Sequence, residues 1–234
     1  MRAVAVAVLL LLSGAAPLTA QGEHERACQG GDADGCIEWA RQVAAGFGAS
    51  ADPGRGVGIL LTTCEKGAWA ACTELGEWYR LGRFVGPDPG RAVSLYRRTC
   101  DADDPDGCDL LARAYETGEG VPRDIARAVM VGDRACQLGA GRACLRTGDR
   151  LARGQEVFTD EPRAARLYRR GCQVDEANSC VRLGRMYEQG RGVPWSEERA
   201  IEYYRRACDI GNAAACKIPL YVRKGNLTRT PFPD

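Results

Sequence analysis

The sequence predicts an all-α fold: a solenoid of about five 36-residue helix–turn–helix repeats, with disulfides between successive helices. Two cysteine series and one glycine series share a 36-residue period, and apolar residues recur at helical spacing within each period. The cysteine series are Cys28, Cys64, Cys100, Cys136, Cys172 and Cys208, and Cys36, Cys72, Cys108, Cys144, Cys180 and Cys216. The glycines are Gly46, Gly82, Gly118, Gly154 and Gly190. The full repeats are therefore 36–71, 72–107, 108–143, 144–179 and 180–215.

The first twenty residues predict a secretory signal peptide. Met1 and Arg2 form a cationic start, an apolar run covers 3–12, and small residues precede a cleavage point after Ala20. The run is shorter than the roughly 20 apolar residues of a membrane span. We therefore expect no membrane span after cleavage and a periplasmic or secreted protein. The predicted domains are a signal peptide at 1–20, the repeats at 21–225 and a flexible tail at 226–234.

Each repeat is predicted to contain two helices, as the third repeat illustrates. Asp104 offers an N-cap before a proline, and Gly118 ends the first helix in a left-handed conformation. Asp124 caps the second helix. The predicted helices cover about 105–117 and 125–138. One such hairpin cannot bury its apolar face alone, so the repeats must stack.

Three further columns of the repeat have structural meaning. Small residues on one face of the first helix permit close packing, at Ala40, Gly76, Ala112, Gly148 and Gly184. Core residues are expected one turn along, at Val43, Tyr79, Tyr115, Leu151 and Tyr187. An arginine stands in the first turn of each second helix, at Arg55, Arg91, Arg127, Arg163 and Arg199. The helix dipole disfavours a cation there, so we expect each arginine to have a partner, an acidic side chain or a carbonyl of the neighbouring repeat.

Two repeats depart from the pattern. Repeat one has Gly54, Gly56 and Gly58 in its second helix, each costing up to about 1 kcal/mol relative to alanine. Its loop at 48–50 and the loop of repeat four at 155–158 lack the Gly-Val-Pro sequence found in repeats three and five. We interpret these departures as drift, with a binding insertion in either loop as the alternative.

The cysteines predict structural disulfides rather than a metal site or a redox motif. Zinc sites use short Cys spacings, a redox site uses Cys-x-x-Cys, and the sequence has a single histidine, His24. Pairing within a repeat, such as Cys36 with Cys64, would leave Cys28 and Cys216 alone. Local pairing, from Cys28 with Cys36 to Cys208 with Cys216, uses all twelve. Each nine-residue ring stabilises the fold by roughly 2.5 kcal/mol in the chain-entropy treatment.

Two stretches carry a family resemblance. Leu183–Pro194 followed by Arg199–Cys208, and Ala114–Asp124 in the third repeat, are similar to the Sel1-like repeat family of the tetratricopeptide-like superfamily. The paired cysteines resemble the subgroup of Helicobacter cysteine-rich proteins. The resemblance covers about 28–218. It implies a right-handed α/α solenoid and a scaffold for protein–protein or protein–peptide interaction.

Family members are associated with penicillin binding and β-lactamase activity, so the resemblance implies a β-lactam-binding or β-lactamase-like protein as the alternative. Serine chemistry on that ring needs Ser-x-x-Lys, which no serine of the mature chain has. The serines are Ser50, Ser94, Ser179 and Ser196. We predict no catalytic residue, metal or cofactor.

The expected partner is a protein or peptide of the cell envelope or exterior, bound by a monomer. Without Arg2 the chain has 31 basic and 31 acidic residues, and this balance argues against nucleic acid. The first helices should line the inner face of a solenoid. The predicted partner-binding residues are Arg41, Glu77, Trp78, Arg113, Asp149, Arg150, Arg185 and Met186.

Overall fold

A computed structural model describes residues 20–47 and 50–218, and this part of the chain forms eleven α-helices, a short 3₁₀ turn and no strand. The first four helices are α1 (Ala20–Gln29), α2 (Ala33–Ala45), α3 (Pro53–Glu65) and α4 (Trp69–Leu81). The others are α5 (Pro89–Asp101), α6 (Pro105–Thr117), α7 (Ile125–Gln137), α8 (Gly141–Arg153), α9 (Glu161–Gln173), α10 (Ala177–Gln189) and α11 (Glu197–Asp209). The proposed tail and all but the last residue of the predicted signal peptide lie outside the described residues.

The helix boundaries follow from the capping residues. Asp124 accepts a hydrogen bond from the backbone N–H of Arg127 at 2.9 Å, and the equivalent Asp52, Asp88, Asp160 and Ser196 cap α3, α5, α9 and α11 in the same way. Gly118 ends α6 with φ at 78°, a left-handed conformation that glycine adopts without strain. The all-α class and the helix–turn–helix repeat are thus confirmed.

The chain divides into two compact units, 1–87 and 88–234. The first contains α1–α4, and the second contains α5–α11 with the 3₁₀ turn Ala215–Lys217. Within each unit, successive helices pack against one another. The small residues of the first helices permit this packing, since a Cβ added to Gly148 would lie 2.6 Å from the ring of Tyr168.

All twelve cysteines form the six predicted local disulfides. The bridged α-carbons are 4.3–4.8 Å apart, because each bridge joins the end of one helix to the start of the next across a short turn. In the turn between α7 and α8, Gly139 has φ at 106°. The disulfides therefore fasten the junctions between repeats.

Candidate functional site

The two apolar residues predicted to bind a partner are buried. Trp78 has no exposed surface and Met186 has 7 %. Trp78 donates its indole N–H to Glu74 at 2.7 Å, and its ring contacts Phe84 at a centroid distance of 4.6 Å. Their assignment to a surface was wrong, because neighbouring side chains cover both residues and make them part of the core.

Several of the charged residues predicted for the same face form ion pairs between successive first helices. Arg41 of α2 contacts Glu74 of α4 at 2.7 Å, and Arg182 of α10 contacts Asp149 of α8 at 3.0 Å. Arg150 of α8 lies 3.5 Å from Glu116 of α6. These contacts hold neighbouring repeats in register.

The remaining predicted residues differ in accessibility. Glu77 pairs with Arg80 within α4 at 2.7 Å, and Arg185 is half-buried. Arg113 of α6 is exposed.

Sequence reasoning missed the partners Glu74, Glu116 and Arg182, although a column that changes from acidic to basic between repeats is the signal for such pairs. Glu38, Glu74, Arg146 and Arg182 occupy that column in four of the repeats.

The pairing of Arg41 with Glu74 shifts the pKa of both groups. Burial alone would raise the pKa of Glu74, but hydrogen bonds from Arg41 and Trp78 outweigh it and lower that pKa. The hydrogen bond to Glu74 raises the pKa of Arg41 above its ordinary value. Both groups are therefore charged at neutral pH, and the pair has a structural role.

An open groove lies between α1, α2 and α3 in the first unit. Its volume is about 610 Å³, within the range typical of ligand sites. The residues that decide its chemistry are Ala33, Trp39, Gly58, Ile59, Thr62 and Lys66. The walls are mainly apolar, and we call this site the first-repeat groove.

The groove is open because two positions of α3 lack the side chains found in other repeats. Arg134, at the position equivalent to Thr62, crosses to Asp103 at 2.8 Å. Arg170 likewise crosses to the carbonyl of Gln137 at 2.7 Å. Gly58 adds no bulk, and a Cβ built there would have nothing within 4 Å. Thr62 thus leaves exposed a space that arginines span in later repeats, and Gly58 places no side chain in it.

The charged groups that line the first-repeat groove are both cationic. Arg55 lies over the Trp39 ring at 5.3 Å and is 3.9 Å from Glu25 at its nearest contact. Lys66 is exposed and has no ion-pair partner among the described residues. The first-repeat groove therefore combines mainly apolar walls with positive charge at its edge.

Three of the four described serines have structural surroundings, and the fourth, Ser50, is exposed. Ser94 donates to the carbonyl of Gly90, Ser196 caps α11, and Ser179 is fully buried. Within the part of the chain that the structure describes, no three metal-ligating side chains come together. No described helix has the length and apolar character needed to cross a membrane.

The Sel1 repeat family matches four segments of the chain, 69–104, 105–139, 141–174 and 177–212. These segments make up more than half of the sequence, and the chain belongs to the Sel1 repeat family. Such repeats are typical of scaffolds for protein–protein interaction. The matched segments leave out 36–68, which contains α3 and most of the first-repeat groove.

Two solved structures have the same fold. A protective antigen present in uropathogenic Escherichia coli strains, described as displaying an SLR fold, matches with a TM-score of 0.72 at 23 % identity over 88 % of this chain. This chain spans 44 % of that protein's length. A Sel1 repeat protein from Oxalobacter formigenes matches with a TM-score of 0.67 at 24 % identity, covering 90 % of this chain and 93 % of that one. Cysteine-rich protein B of Helicobacter pylori gives a TM-score of 0.46 at 26 % identity, and the match covers 56 % of this chain and 95 % of that one. A search of curated protein sequences finds no significant match.

Proposed function

We propose that the protein is a periplasmic or extracellular scaffold whose first-repeat groove binds an apolar segment of a partner protein that also carries a carboxylate. The observation that carries the proposal is the groove itself, an apolar space of about 610 Å³ with Arg55 and Lys66 at its edge. Apolar walls would supply affinity, and the two cations would select for an acidic group.

The cysteines support the proposed location. All twelve are paired, and most are fully or nearly fully buried. Proteins with this many structural disulfides are typical of oxidising compartments, such as the periplasm or the cell exterior. The six bridges would keep the binding surface rigid outside the cytosol.

The groove can be tested by filling it. In Gly58→Leu a side chain occupies the open space, and leucine favours the helix more than glycine does. Gly54→Leu is the matched control, because Gly54 is exposed on the same helix and does not line the groove. A displayed library of random peptides is selected against the full disulfide-bonded protein, and the affinity of enriched peptides is measured by fluorescence anisotropy.

We expect enriched peptides to combine apolar residues with Asp, Glu or a free C-terminus. Gly58→Leu and Lys66→Glu should each weaken their binding about tenfold or more, while Gly54→Leu leaves it unchanged. Peptides that bind Gly58→Leu as tightly as the wild type would contradict binding in the first-repeat groove.

The first-helix face remains a second proposed contact surface through Arg113, whose side chain is exposed. The variant Arg113→Glu tests it in the same assay, since surface charge changes usually cost little stability. Weakened binding in Arg113→Glu, together with normal binding in Gly58→Leu, would place the partner on the first-helix face rather than in the groove.

A further inference from the structure

One inter-repeat position of the second helices carries an acidic residue in one repeat and a basic residue in the next. The first-turn arginine of a second helix meets the side chain thirty residues earlier, on the preceding second helix. Arg163 of α9 contacts Asp133 of α7 at 2.5 Å, which is an ordinary ion pair. In the next step the arginine is Arg199 of α11, and the acidic residue is replaced by Arg169 of α9.

Both arginines of this step converge on one phenol. Arg169 and Arg199 each donate a hydrogen bond to the hydroxyl oxygen of Tyr187, and both distances are 3.2 Å. The Tyr203 ring stacks on the Tyr187 ring at 5.6 Å, with 6° between the planes. Arg169 also interacts with the Tyr203 hydroxyl. Three helices, α9, α10 and α11, therefore hold two guanidinium groups beside two phenols.

These two cations lack the carboxylate partner that other second-helix arginines have among the described residues. Among the described residues, neither Arg169 nor Arg199 lies within ion-pair distance of an acidic side chain, whereas Arg163, Arg134 and Arg206 each have one. Two like charges on one neutral acceptor repel each other. Burial opposes ionisation of Tyr187, but the hydrogen bonds from Arg199 and Arg169 outweigh it and lower the pKa of the phenol. The surroundings thus favour negative charge at this point.

We propose that Arg169, Arg199, Tyr187 and Tyr203 form a binding site for an oxyanion, a carboxylate or phosphate group. Planar guanidinium groups present paired N–H donors that match either group. Arg199 is exposed and Arg169 is half-buried, so the ligand can reach the donors from solvent. The anion would supply the negative charge that Asp133 supplies one repeat earlier. The site lies in the second unit and does not depend on the first-repeat groove.

The test compares anion binding by the full chain and two charge-matched variants. Arg169→Asp restores the acidic residue seen at Asp133, so that Arg199 gains an internal partner. Arg166→Asp makes the same charge change at an exposed position one turn earlier on α9. Calorimetric titrations with inorganic phosphate and with acetate, at constant ionic strength set by chloride, give the affinities.

We expect the wild type and Arg166→Asp to bind phosphate or acetate above the chloride background, and Arg169→Asp to bind at least about tenfold more weakly. Tighter binding of acetate would identify a carboxylate as the ligand, and tighter binding of phosphate a phosphorylated one. Circular dichroism checks folding, and Arg169→Gln, which removes the charge without adding an acid, should lose binding as well. Equal binding by wild type and both Arg169 variants, or no binding by the wild type, would overturn the site.

Discussion

Ser179 is a polar residue in an apolar junction. Its side chain is fully buried, and its hydroxyl has no hydrogen-bond partner within the described part of the chain. It lies against Gly171, where an added Cβ would be 2.4 Å from the Ser179 oxygen. Alanine occupies the equivalent position in two other repeats, at Ala71 and Ala143. The hydroxyl therefore costs desolvation without a compensating contact.

Replacement of Ser179 by alanine should stabilise the protein by about 1 kcal/mol, because it removes a buried polar group that has no partner. Urea unfolding with the disulfides intact measures the change. Ser94→Ala is the control: Ser94 is exposed, and the variant should stay within about 0.5 kcal/mol of the wild type. A loss of more than 1 kcal/mol in Ser179→Ala would show that the hydroxyl has a stabilising contact.

The limits of sequence reasoning are clearest in one column of the first helices. Trp78, Ala114, Arg150 and Met186 stand at equivalent positions, and the sequence placed the column on a face between core positions. Trp78 packs on Phe84, while Arg150 reaches Glu116. The period fixes which residues share a face. Whether a residue is buried depends on the sizes of the neighbouring side chains, and the repeat period gives no information about those sizes.

Within the second unit, a tyrosine ring of one helix packs against a glycine of the preceding helix at two positions. The ring of Tyr168 on α9 lies against Gly148 on α8, and Tyr204 on α11 lies against Gly184 on α10. Tyr168 donates its hydroxyl to Asp149 at 2.7 Å. Burial, followed by this hydrogen bond, raises the pKa of Tyr168, so the buried phenol stays neutral. Close approach and the hydrogen bond together fix the register of α8 and α9.

Gly148→Ala should destabilise the protein by about 1–3 kcal/mol, because the new methyl group would meet the Tyr168 ring. Gly58→Ala, also in a helix, should instead stabilise it by up to about 1 kcal/mol, since the space around Gly58 is open. The free energies of unfolding of the two variants, measured side by side, check both signs. A stabilising Gly148→Ala would mean that Tyr168 can move away at little cost.

The helices themselves could be predicted more fully than the groove between them. Expected bounds of 105–117 and 125–138 compare with Pro105–Thr117 and Ile125–Gln137, because caps and glycine stops are local signals. The first-repeat groove was missed. Its signal was Thr62, which replaces an arginine found at the equivalent position of every later full repeat. The missing arginine predicts an open groove only when the contact made by the equivalent arginines is known from the structure.

At the scale of the whole molecule, the disulfides compensate for the local nature of repeat packing. Helices contact mainly their neighbours in sequence, so the junctions between repeats are the natural points of separation. Every bridge spans such a junction. Pairing was predictable because local bridges use all twelve cysteines and demand only adjacent helix ends. The disulfides also allow the glycine-rich α3 to remain folded in the first repeat.

Non-reducing tryptic digestion of the disulfide-bonded protein, denatured with its thiols blocked, should recover six local pairs and no free thiol. The rings closed at Cys28, Cys100, Cys172 and Cys208 contain neither lysine nor arginine, so trypsin leaves each as one internally bridged peptide. Reduction should add two hydrogens to each of these peptides without splitting it. A bridge within a repeat, such as Cys36 with Cys64, would instead join two peptides that separate on reduction, because arginines lie between those cysteines. Mass spectrometry before and after reduction distinguishes the two patterns, and a dominant second pattern would contradict the local pairing.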